Sequence, residues 1–272
     1  VKNKAWLIVQ AVDGTEGWIK QKDTLKVLNS AYAPPPFMPV NLNWESNMDP
    51  DAYEEAITRV LDYIYKGEIY QANVAQRFEA DVPEGFQPYA HYLRLREVNP
   101  APHAGYFNLS GAIVSSASPE RCVRVNAKAV ETQPIKGTRP RAGSEALDKV
   151  YQEELLNSEK DRAENIMIVD LMRNDLSKVC KSHSVKVSKL CALESFASVH
   201  HLVSSICGEL EDSKSAVDVL RACFPGGSIT GAPKIRAQEI IEKIEGVRRG
   251  AYCGSLGYIG FDGAMDSSIL IR

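Results

Sequence analysis

Between residues 104 and 133 the chain carries strand-like segments in direct succession, joined by connections too short to hold a helix. Parallel neighbours need a crossover of about a dozen residues or more, whereas antiparallel neighbours are joined by a tight turn. We therefore predict antiparallel pairing in this stretch. A further hairpin is predicted near the end of the chain, where Asp262 and Gly263 form a favoured two-residue turn.

Helix-forming segments interrupt these strands rather than alternating with them. The clearest helix follows the N-cap Asp49 and the first-turn Pro50, and its apolar residues recur at helical spacing until Gly67. Ser158, with Asp161 three residues later, resembles a capping box and opens another helix. Shorter helices are expected at 89–98, 216–223 and 233–244, and further strands at 6–9, 69–80, 184–187 and 199–210. This order predicts an α+β fold with large antiparallel sheets packed against helices.

The length of 272 residues corresponds to one large domain or two small ones. A proline cluster within 34–39 breaks regular structure, so we divide the chain into an N-terminal region with its linker, 1–48, and a main domain, 49–272. The chain begins at Val1 rather than Met and ends at Arg272 inside an alternating apolar stretch. We expect it to be a fragment, cut at its C-terminal end and missing part of its N-terminal half.

Composition restricts the ligands and the compartment. Hydrophobic residues are 44% and charged residues 25%, which indicates an ordinary folded protein, and the net charge of -3 gives no general attraction to nucleic acid or anionic membranes. An anionic ligand must therefore be held by a few placed cations. The six cysteines show no zinc-type spacing and indicate free thiols in a reducing cytoplasm. No apolar run is long enough to span a bilayer.

A glycine-rich loop at 226–234 delivers two hydroxyls, Ser228 and Thr230, toward the start of a helix, where free N–H groups favour an anion. Its spacing departs from the nucleotide-binding phosphate loop, because Ala232 and Pro233 precede Lys234. A carboxylate ligand fits the pattern better. The alternative is a connection that needs glycine only for its backbone angles.

Three other features have both a functional and a structural interpretation. Asp161 and Glu164 share one helix face and suit magnesium, but acidic residues also favour a first helical turn for electrostatic reasons. His200 and His201 must point to opposite faces of a strand, and either can be an ordinary core histidine. Lys136, before a glycine, is either a solvated loop charge or an amine nucleophile.

Six segments in order make the chain similar to the chorismate-utilising enzymes, from about residue 49 to 272. They are SPER at 118–121, PIKGT at 134–138, DRAEN at 161–165 continuing to 175, VHHLVS at 199–204, FPGGSITGAPK at 224–234 and CGSLGY at 253–258. The lysine of PIKGT resembles component I of aminodeoxychorismate synthase, because anthranilate synthases carry alanine where Lys136 stands. Isochorismate and salicylate synthases carry their water-activating lysine where this chain has Gln71.

The resemblance implies that the main domain binds chorismate and replaces its C4 hydroxyl with ammonia, giving 4-amino-4-deoxychorismate for p-aminobenzoate and folate synthesis. Lys136 would form a covalent intermediate at C2, with Glu120 as acid and then base and His201 stabilising or protonating the departing oxygen. Magnesium would be bound by Glu164, with Asp161 acting through water. Substrate contacts would come from Gly137, Thr138, Ser228, Thr230, Tyr258 and Arg272. A glutamine amidotransferase subunit would supply the ammonia.

Two alternatives remain open from the sequence. The first is anthranilate synthase component I, which has the same fold and substrate, and the second is a catalytically inactive binding or docking module. The relatives continue past the segment matching Arg272 with a glycine-rich stretch and a helix bearing a second magnesium glutamate. We therefore expect the 272-residue chain to be weakly active or inactive by itself.

Overall fold

The computed structural model describes residues 6–10, 16–20 and 41–272. Within these residues the helices are α1 (Pro50–Tyr65), α2 (Pro88–Val98), α3 (Glu145–Asn157), α4 (Glu159–Ser177), α5 (Ala216–Cys223) and α6 (Lys234–Glu245). The strands are β1 (Trp6–Gln10), β2 (Glu16–Lys20), β3 (Glu45–Ser46), β4 (Gln71–Ala72), β5 (Phe78–Glu79), β6 (His103–Leu109), β7 (Ala112–Ser118), β8 (Arg121–Asn126), β9 (Ala129–Gln133), β10 (Ile135–Pro140), β11 (Lys186–Ser195), β12 (Val199–Glu209), β13 (Gly231–Ala232), β14 (Ser255–Ile259) and β15 (Met265–Ile269).

A seven-stranded sheet is the centre of the fold. Its strand order is β10-β12-β9-β8-β15-β14, with β11 paired along the other edge of β12, and every pair is antiparallel. The long strand β12 pairs with β10 through its first half and with β9 through its second half. The antiparallel and α+β predictions are confirmed, as is the hairpin between β14 and β15.

Helix α4 covers this sheet. Ser158 caps its start by accepting a hydrogen bond from the Asp161 N–H at 3.3 Å, as the sequence predicted. Its buried residues pack against the sheet and against α5; the shared core includes Val123, Val125, Val130, Ile168, Met172, Leu176, Ile206, Val219 and Ile269. Burying each large aliphatic side chain contributes roughly 1.5–3 kcal/mol, so this helix is held firmly against the strands.

A second core lies between α1 and α6. Ala56 and Val60 of α1 pack with Ile240 and Ile244 of α6, together with Ile69. Asp49 caps α1 by accepting from the Ala52 N–H at 2.8 Å. The packing places α6 beside β4 and β13, at the end of the glycine-rich loop.

Three features differ from the sequence predictions. The strand expected over 69–80 is reduced to β4 and β5, because β4 has only the two-residue β13 as its partner and β5 only β3. Helix α3 was not predicted; its buried residues are Asp148 and Leu155, too few to give a clear apolar period. Strand β11 extends to Ser195, well past 187.

The N-terminal expectations are only partly open to comparison. The strand at 6–9 is confirmed as β1, which pairs with β2. The proline cluster and most of 1–48 lie outside the described residues, and the boundary at 48/49 stays a prediction. In the part of the chain that the structure describes, no helix is long and apolar enough to cross a membrane.

Candidate active site

A β-bulge at Gly137 organises the site. Lys136 pairs with Leu202 and Thr138 pairs with His201, so Gly137 is an extra residue in β10. Its φ of +77° suits glycine, and a Cβ there would lie 2.9 Å from side-chain atoms of both Asp161 and Leu155. Bulges redirect neighbouring side chains and are frequent beside active sites. The bulge therefore brings Lys136 and Thr138 to α4 and β12 in a fixed arrangement.

The Lys136 side chain ends against the glycine-rich loop. Its Nζ donates a hydrogen bond to the Ser228 carbonyl at 2.9 Å, and the residue is only half-buried. Glu120 lies close enough for the lysine charge to act on its carboxyl group. The turn that carries Glu120 is fixed at both ends, because its N–H donates to Ser118 Oγ at 3.2 Å and its carbonyl accepts from the Ile269 N–H at 3.1 Å.

The carboxyl group of Glu120 is suited to proton transfer near neutral pH. The residue is 4% exposed, and burial raises its pKa from 4.5 to about 7. The Ser228 hydroxyl, the Lys136 charge and the Ile135 N–H each lower this pKa in part, in that order of size. A carboxyl group with this pKa is protonated in a large fraction of molecules at neutral pH and can act as a general acid.

His201 is fully buried, and its hydrogen bonds define its tautomer. Nδ1 lies 3.3 Å from the Gly137 carbonyl, which can only accept, and 2.9 Å from Thr138 Oγ1. We therefore assign the proton to Nδ1. Burial lowers the pKa of His201, which favours the neutral ring with an unprotonated Nε2. That Nε2 atom is buried without a hydrogen-bond partner in the described residues.

His200 has a different function, because alternation turns it away from His201. Its Nε2 lies 2.9 Å from Asp148 Oδ1, and its Nδ1 lies 2.8 Å from Ser195 Oγ. Asp148 also accepts from the Ala142 N–H at 2.9 Å and from Arg141 Nε at 3.0 Å. These hydrogen bonds satisfy His200 completely, as expected for a core histidine, and tie α3 to β12.

The two hydroxyls of the glycine-rich loop differ in whether a hydrogen bond within the loop occupies them. Ser228 Oγ is buried near the Glu120 carboxyl group, whose pKa it lowers, but like His201 Nε2 it makes no hydrogen bond of normal geometry among the described residues. Buried polar atoms are nearly always hydrogen-bonded, so these two atoms mark where a ligand would bind. Thr230 Oγ1, in contrast, donates to the Gly226 carbonyl at 3.1 Å. Its hydroxyl is used within the loop, which does not favour the substrate contact predicted for Thr230.

Of the two carboxylates predicted to bind magnesium, Asp161 lies next to the bulge, and Glu164 is three residues further along α4. The Asp161 side chain is 17% exposed, and its Oδ2 pairs with Arg139 at 3.4 Å. The Glu164 side chain is 33% exposed, and its Oε1 lies 4.0 Å from Nζ of Lys160, whose side chain is 85% exposed. No cluster of three acidic, histidine or cysteine side chains occurs in the described residues. One partly exposed carboxylate leaves room for a magnesium ion whose other ligands would be water and substrate oxygens, so Glu164 as its ligand stays a prediction.

Arg272 lies near the site, but Tyr258 does not accompany it. The Arg272 charge lowers the pKa values of Glu120 and His201, which places the guanidinium in their vicinity. Tyr258 lies 66% exposed on the edge strand β14, beside a different cavity formed with β6. Tyr252 instead lines a cavity of about 280 Å³ together with Arg272. The substrate contact of Tyr258 stays a prediction that this placement does not favour, and Tyr252 is the tyrosine that shares a cavity with Arg272.

Comparison with known proteins gives one family. The model of the family described as chorismate binding enzyme matches residues 3–272. Aminodeoxychorismate synthase component 1 of Escherichia coli (strain K12) is 46% identical over 241 residues, which cover 89% of this chain and 53% of that protein. Anthranilate synthase component 1 of Aquifex aeolicus (strain VF5) is 43% identical over 230 residues, covering 85% and 46%.

A solved structure has the same fold. Anthranilate synthase component I from Streptococcus pneumoniae TIGR4 superposes with a TM-score of 0.80 at 34% identity, covering 93% of this chain and 57% of that one. The chain spans about half the length of the curated relatives it matches. Relatives of both names match at nearly equal identity, so overall similarity does not choose between the two activities.

Proposed function

Because this chain belongs to the chorismate binding enzyme family, we propose that its protein is an aminodeoxychorismate synthase component I. It would convert chorismate and ammonia to 4-amino-4-deoxychorismate, on the route to p-aminobenzoate and folate. The single observation that carries the proposal is the position of the Lys136 amine, which contacts the Ser228 carbonyl beside the buried Glu120. A lysine at this place supplies a nucleophile that an alanine cannot supply.

The first step uses Glu120 and Lys136 together. The Glu120 carboxylate takes a proton from the Lys136 ammonium group, which gives a neutral amine and a carboxylic acid. The amine nitrogen forms a bond to C2 of chorismate, the two ring double bonds shift from C1=C2 and C5=C6 to C1=C6 and C4=C5, and the C4–O bond breaks. Glu120 returns the proton to the departing oxygen, so that water leaves. A carboxyl pKa of about 7 suits both directions of this transfer at neutral pH.

The second step reverses the bond changes with a new nucleophile. Ammonia forms a bond to C4, both double bonds shift back to C1=C2 and C5=C6, and the bond between C2 and the Lys136 nitrogen breaks. Glu120 accepts a proton from the new C4 ammonium group, and the lysine nitrogen leaves as an amine. The unprotonated Nε2 of His201 accepts a hydrogen bond first from the C4 hydroxyl and then from ammonia. In the neutral ring this atom acts as an acceptor, which does not fit proton donation, one of the two functions that the resemblance implies for His201.

The remaining groups balance the charge of a dianionic substrate. Arg272 is the nearby cation for one carboxylate, with Tyr252 in the same cavity. A magnesium ion bound at Glu164 would neutralise the other carboxylate. Gly137, at the bulge, Thr138 beside it and the buried Ser228 hydroxyl would supply backbone and hydroxyl contacts to the substrate. A glutamine amidotransferase subunit is the proposed ammonia source, because little free ammonia exists at neutral pH.

The test is to trap the covalent intermediate. The protein is incubated with chorismate and magnesium without ammonia, and intact and peptide mass spectrometry look for the mass of chorismate less one water on Lys136. Lys136→Ala must lose the adduct, while Lys189→Ala, which removes a lysine that is 59% exposed on β11, must retain it. Turnover without loss on Lys136→Ala would reject the covalent function.

Anthranilate synthase component I is the second candidate, favoured by the 43% identity to the Aquifex aeolicus protein. Product analysis with chorismate, magnesium and ammonia separates the two activities, because anthranilate is fluorescent and aminodeoxychorismate is converted to p-aminobenzoate only after a lyase is added. Absence of both products from the protein assembled with its amidotransferase would favour an inactive binding module.

A further inference from the structure

The glycine-rich loop is unusual because most of it is buried while it has little regular structure. Residues 226–232 are all buried, and their regular structure consists of a 3-10 turn and the two-residue strand β13. The carbonyl groups of a buried loop need hydrogen-bond donors from elsewhere. Two come from the backbone: the Asn73 N–H donates to the Thr230 carbonyl at 2.8 Å, and the Tyr70 N–H donates to the Ala232 carbonyl at 2.7 Å.

Three more donors are cationic side chains. Lys234 Nζ donates to the Cys223 carbonyl at 3.0 Å, just before the loop, and Arg249 Nη1 donates to the Ile229 carbonyl at 2.9 Å, within it. Between them, Lys136 Nζ donates to the Ser228 carbonyl. The loop is therefore held by one cation on each side of the carbonyl that contacts the proposed nucleophile.

Each outer cation has its own buried carboxylate. Lys234 forms a short ion pair with Asp175, whose side chain is 3% exposed, and this pair connects the loop to α4. Arg249 pairs with Glu245, whose side chain is 2% exposed, and connects the loop to α6. Breaking one partner of a buried ion pair is strongly unfavourable, so both cations are fixed in place.

Lys234 and Arg249 are held by ion pairs with buried carboxylates, whereas Lys136, in the described part of the chain, has only its hydrogen bond to the loop. Arg249 also donates to the Asn73 carbonyl, so its guanidinium bonds three segments of the chain. Lys136, among the described residues, makes one hydrogen bond, and the carboxyl group near it belongs to Glu120. Its position consequently depends on where the loop places the Ser228 carbonyl.

We propose that Lys234 and Arg249 are positioning residues, which hold the loop on both sides of Ser228 so that its carbonyl keeps the Lys136 amine in place. The inference deepens the proposed function and rests on it only for the effect on turnover. The position of the amine can be measured without any turnover.

The experiment measures how fast acetic anhydride acetylates Lys136, by peptide mass spectrometry, from about pH 6 to about pH 11, which brackets the ordinary lysine pKa. The variants are Arg249→Gln and Lys234→Met, with Arg249→Lys and Lys234→Arg as conservative replacements. Arg236→Gln is the matched control, because Arg236 lies on α6, as Lys234 does, and pairs with Glu68 rather than with the loop.

We expect Arg249→Gln and Lys234→Met to raise the acetylation rate of Lys136 roughly threefold to tenfold, the effect of releasing about one hydrogen bond. In Lys234→Arg the acetylation rate of Lys136 should stay close to the slow wild-type rate, and in Arg236→Gln it should equal the wild-type rate. In the assembled enzyme, the loop variants should lower kcat more than they raise KM. If the wild-type protein shows no turnover, the proposed function fails while the labelling result still decides the positioning proposal.

Two results would overturn the proposal. One is the same acetylation profile in the two loop variants and in Arg236→Gln, with all three proteins folded by circular dichroism. The other is unfolding of all four loop variants, including the conservative ones, while Arg236→Gln stays folded, because the ion pairs would then hold the whole domain rather than position the amine.

Discussion

Replacing Glu120 with glutamine should change how the free energy of unfolding depends on pH. The glutamine keeps the shape of the side chain and an acceptor for the Ile135 N–H, which lies 3.4 Å from Glu120 Oε1. It removes only the ionisation. In the wild-type protein the folded pKa is about 7 and the ordinary value is 4.5, so the unfolded chain releases its proton at a lower pH than the folded protein does.

The sign and size of the pH-dependent change in stability follow from this difference between the folded and unfolded pKa values. Below pH 4.5 both states are protonated and the carboxyl group contributes no pH dependence. As pH rises toward about 7, ionisation favours the unfolded state, so stability is lost across this window and the loss levels off above it. A gap of about 2.5 pH units at 1.36 kcal/mol per unit gives a loss of about 3 kcal/mol.

Urea unfolding at a series of pH values from about 4 to about 8, followed by circular dichroism, measures this loss. The free energy of unfolding of E120Q minus that of the wild-type protein should rise by about 3 kcal/mol across the window. The other titrating groups contribute equally to both proteins and cancel in this difference. Ser228→Ala is the companion variant: its hydroxyl lowers the Glu120 pKa, so removing it should extend the window upward. A difference that stays flat within about 0.5 kcal/mol would mean that Glu120 ionises normally in the folded protein, and the general-acid assignment would fail.

Three further predictions concern the bulge, the core histidine network and the metal site. Gly137→Ala should destabilise by about 1–3 kcal/mol or more in thermal unfolding, because it combines a positive φ with atoms 2.9 Å from the new Cβ. Gly263→Ala, with φ of +82° and nothing within 4 Å, should destabilise less, and equal losses would contradict the steric argument. Asp148 accepts a hydrogen bond from a backbone N–H, which lowers its pKa, so the stability it contributes is lost as pH falls below its ordinary value of 3.8. Asp148→Asn should show a shallower acid loss in urea unfolding, and a parallel curve would argue against the network. Glu164→Gln should weaken Mn²⁺ binding, measured by electron paramagnetic resonance, about tenfold, whereas Asp170→Asn, exposed on the same helix, should not; equal affinities would remove Glu164 as a ligand.

Local patterns were sufficient for much of this fold. The caps at Asp49 and Ser158 and the hairpin at Gly263 depend on residues a few positions apart, and the structure has all three. The prediction that His200 and His201 face different surroundings also needed only the alternation of a strand. Resemblance between ordered motifs identified the family, because each motif is itself a short local pattern.

The pairing of distant residues decided the rest. His200 is hydrogen-bonded by Asp148, which lies 52 residues earlier, and no local sequence pattern predicts that contact. Tyr252 rather than Tyr258 accompanies Arg272, because the edge position of β14 leaves the second tyrosine exposed.

The amino-acid sequence by itself determined most of the element types, the family and the lysine at 136, all of which follow from neighbours along the chain. Only the tertiary structure decided which groups are charged and where they point. Burial raises the pKa of Glu120. The Gly226 carbonyl occupies the Thr230 hydroxyl, whereas the Ser228 hydroxyl makes no hydrogen bond of normal geometry among the described residues and remains available. Desolvation and hydrogen-bond pairing depend on atoms brought together by folding, and sequence spacing does not contain that information.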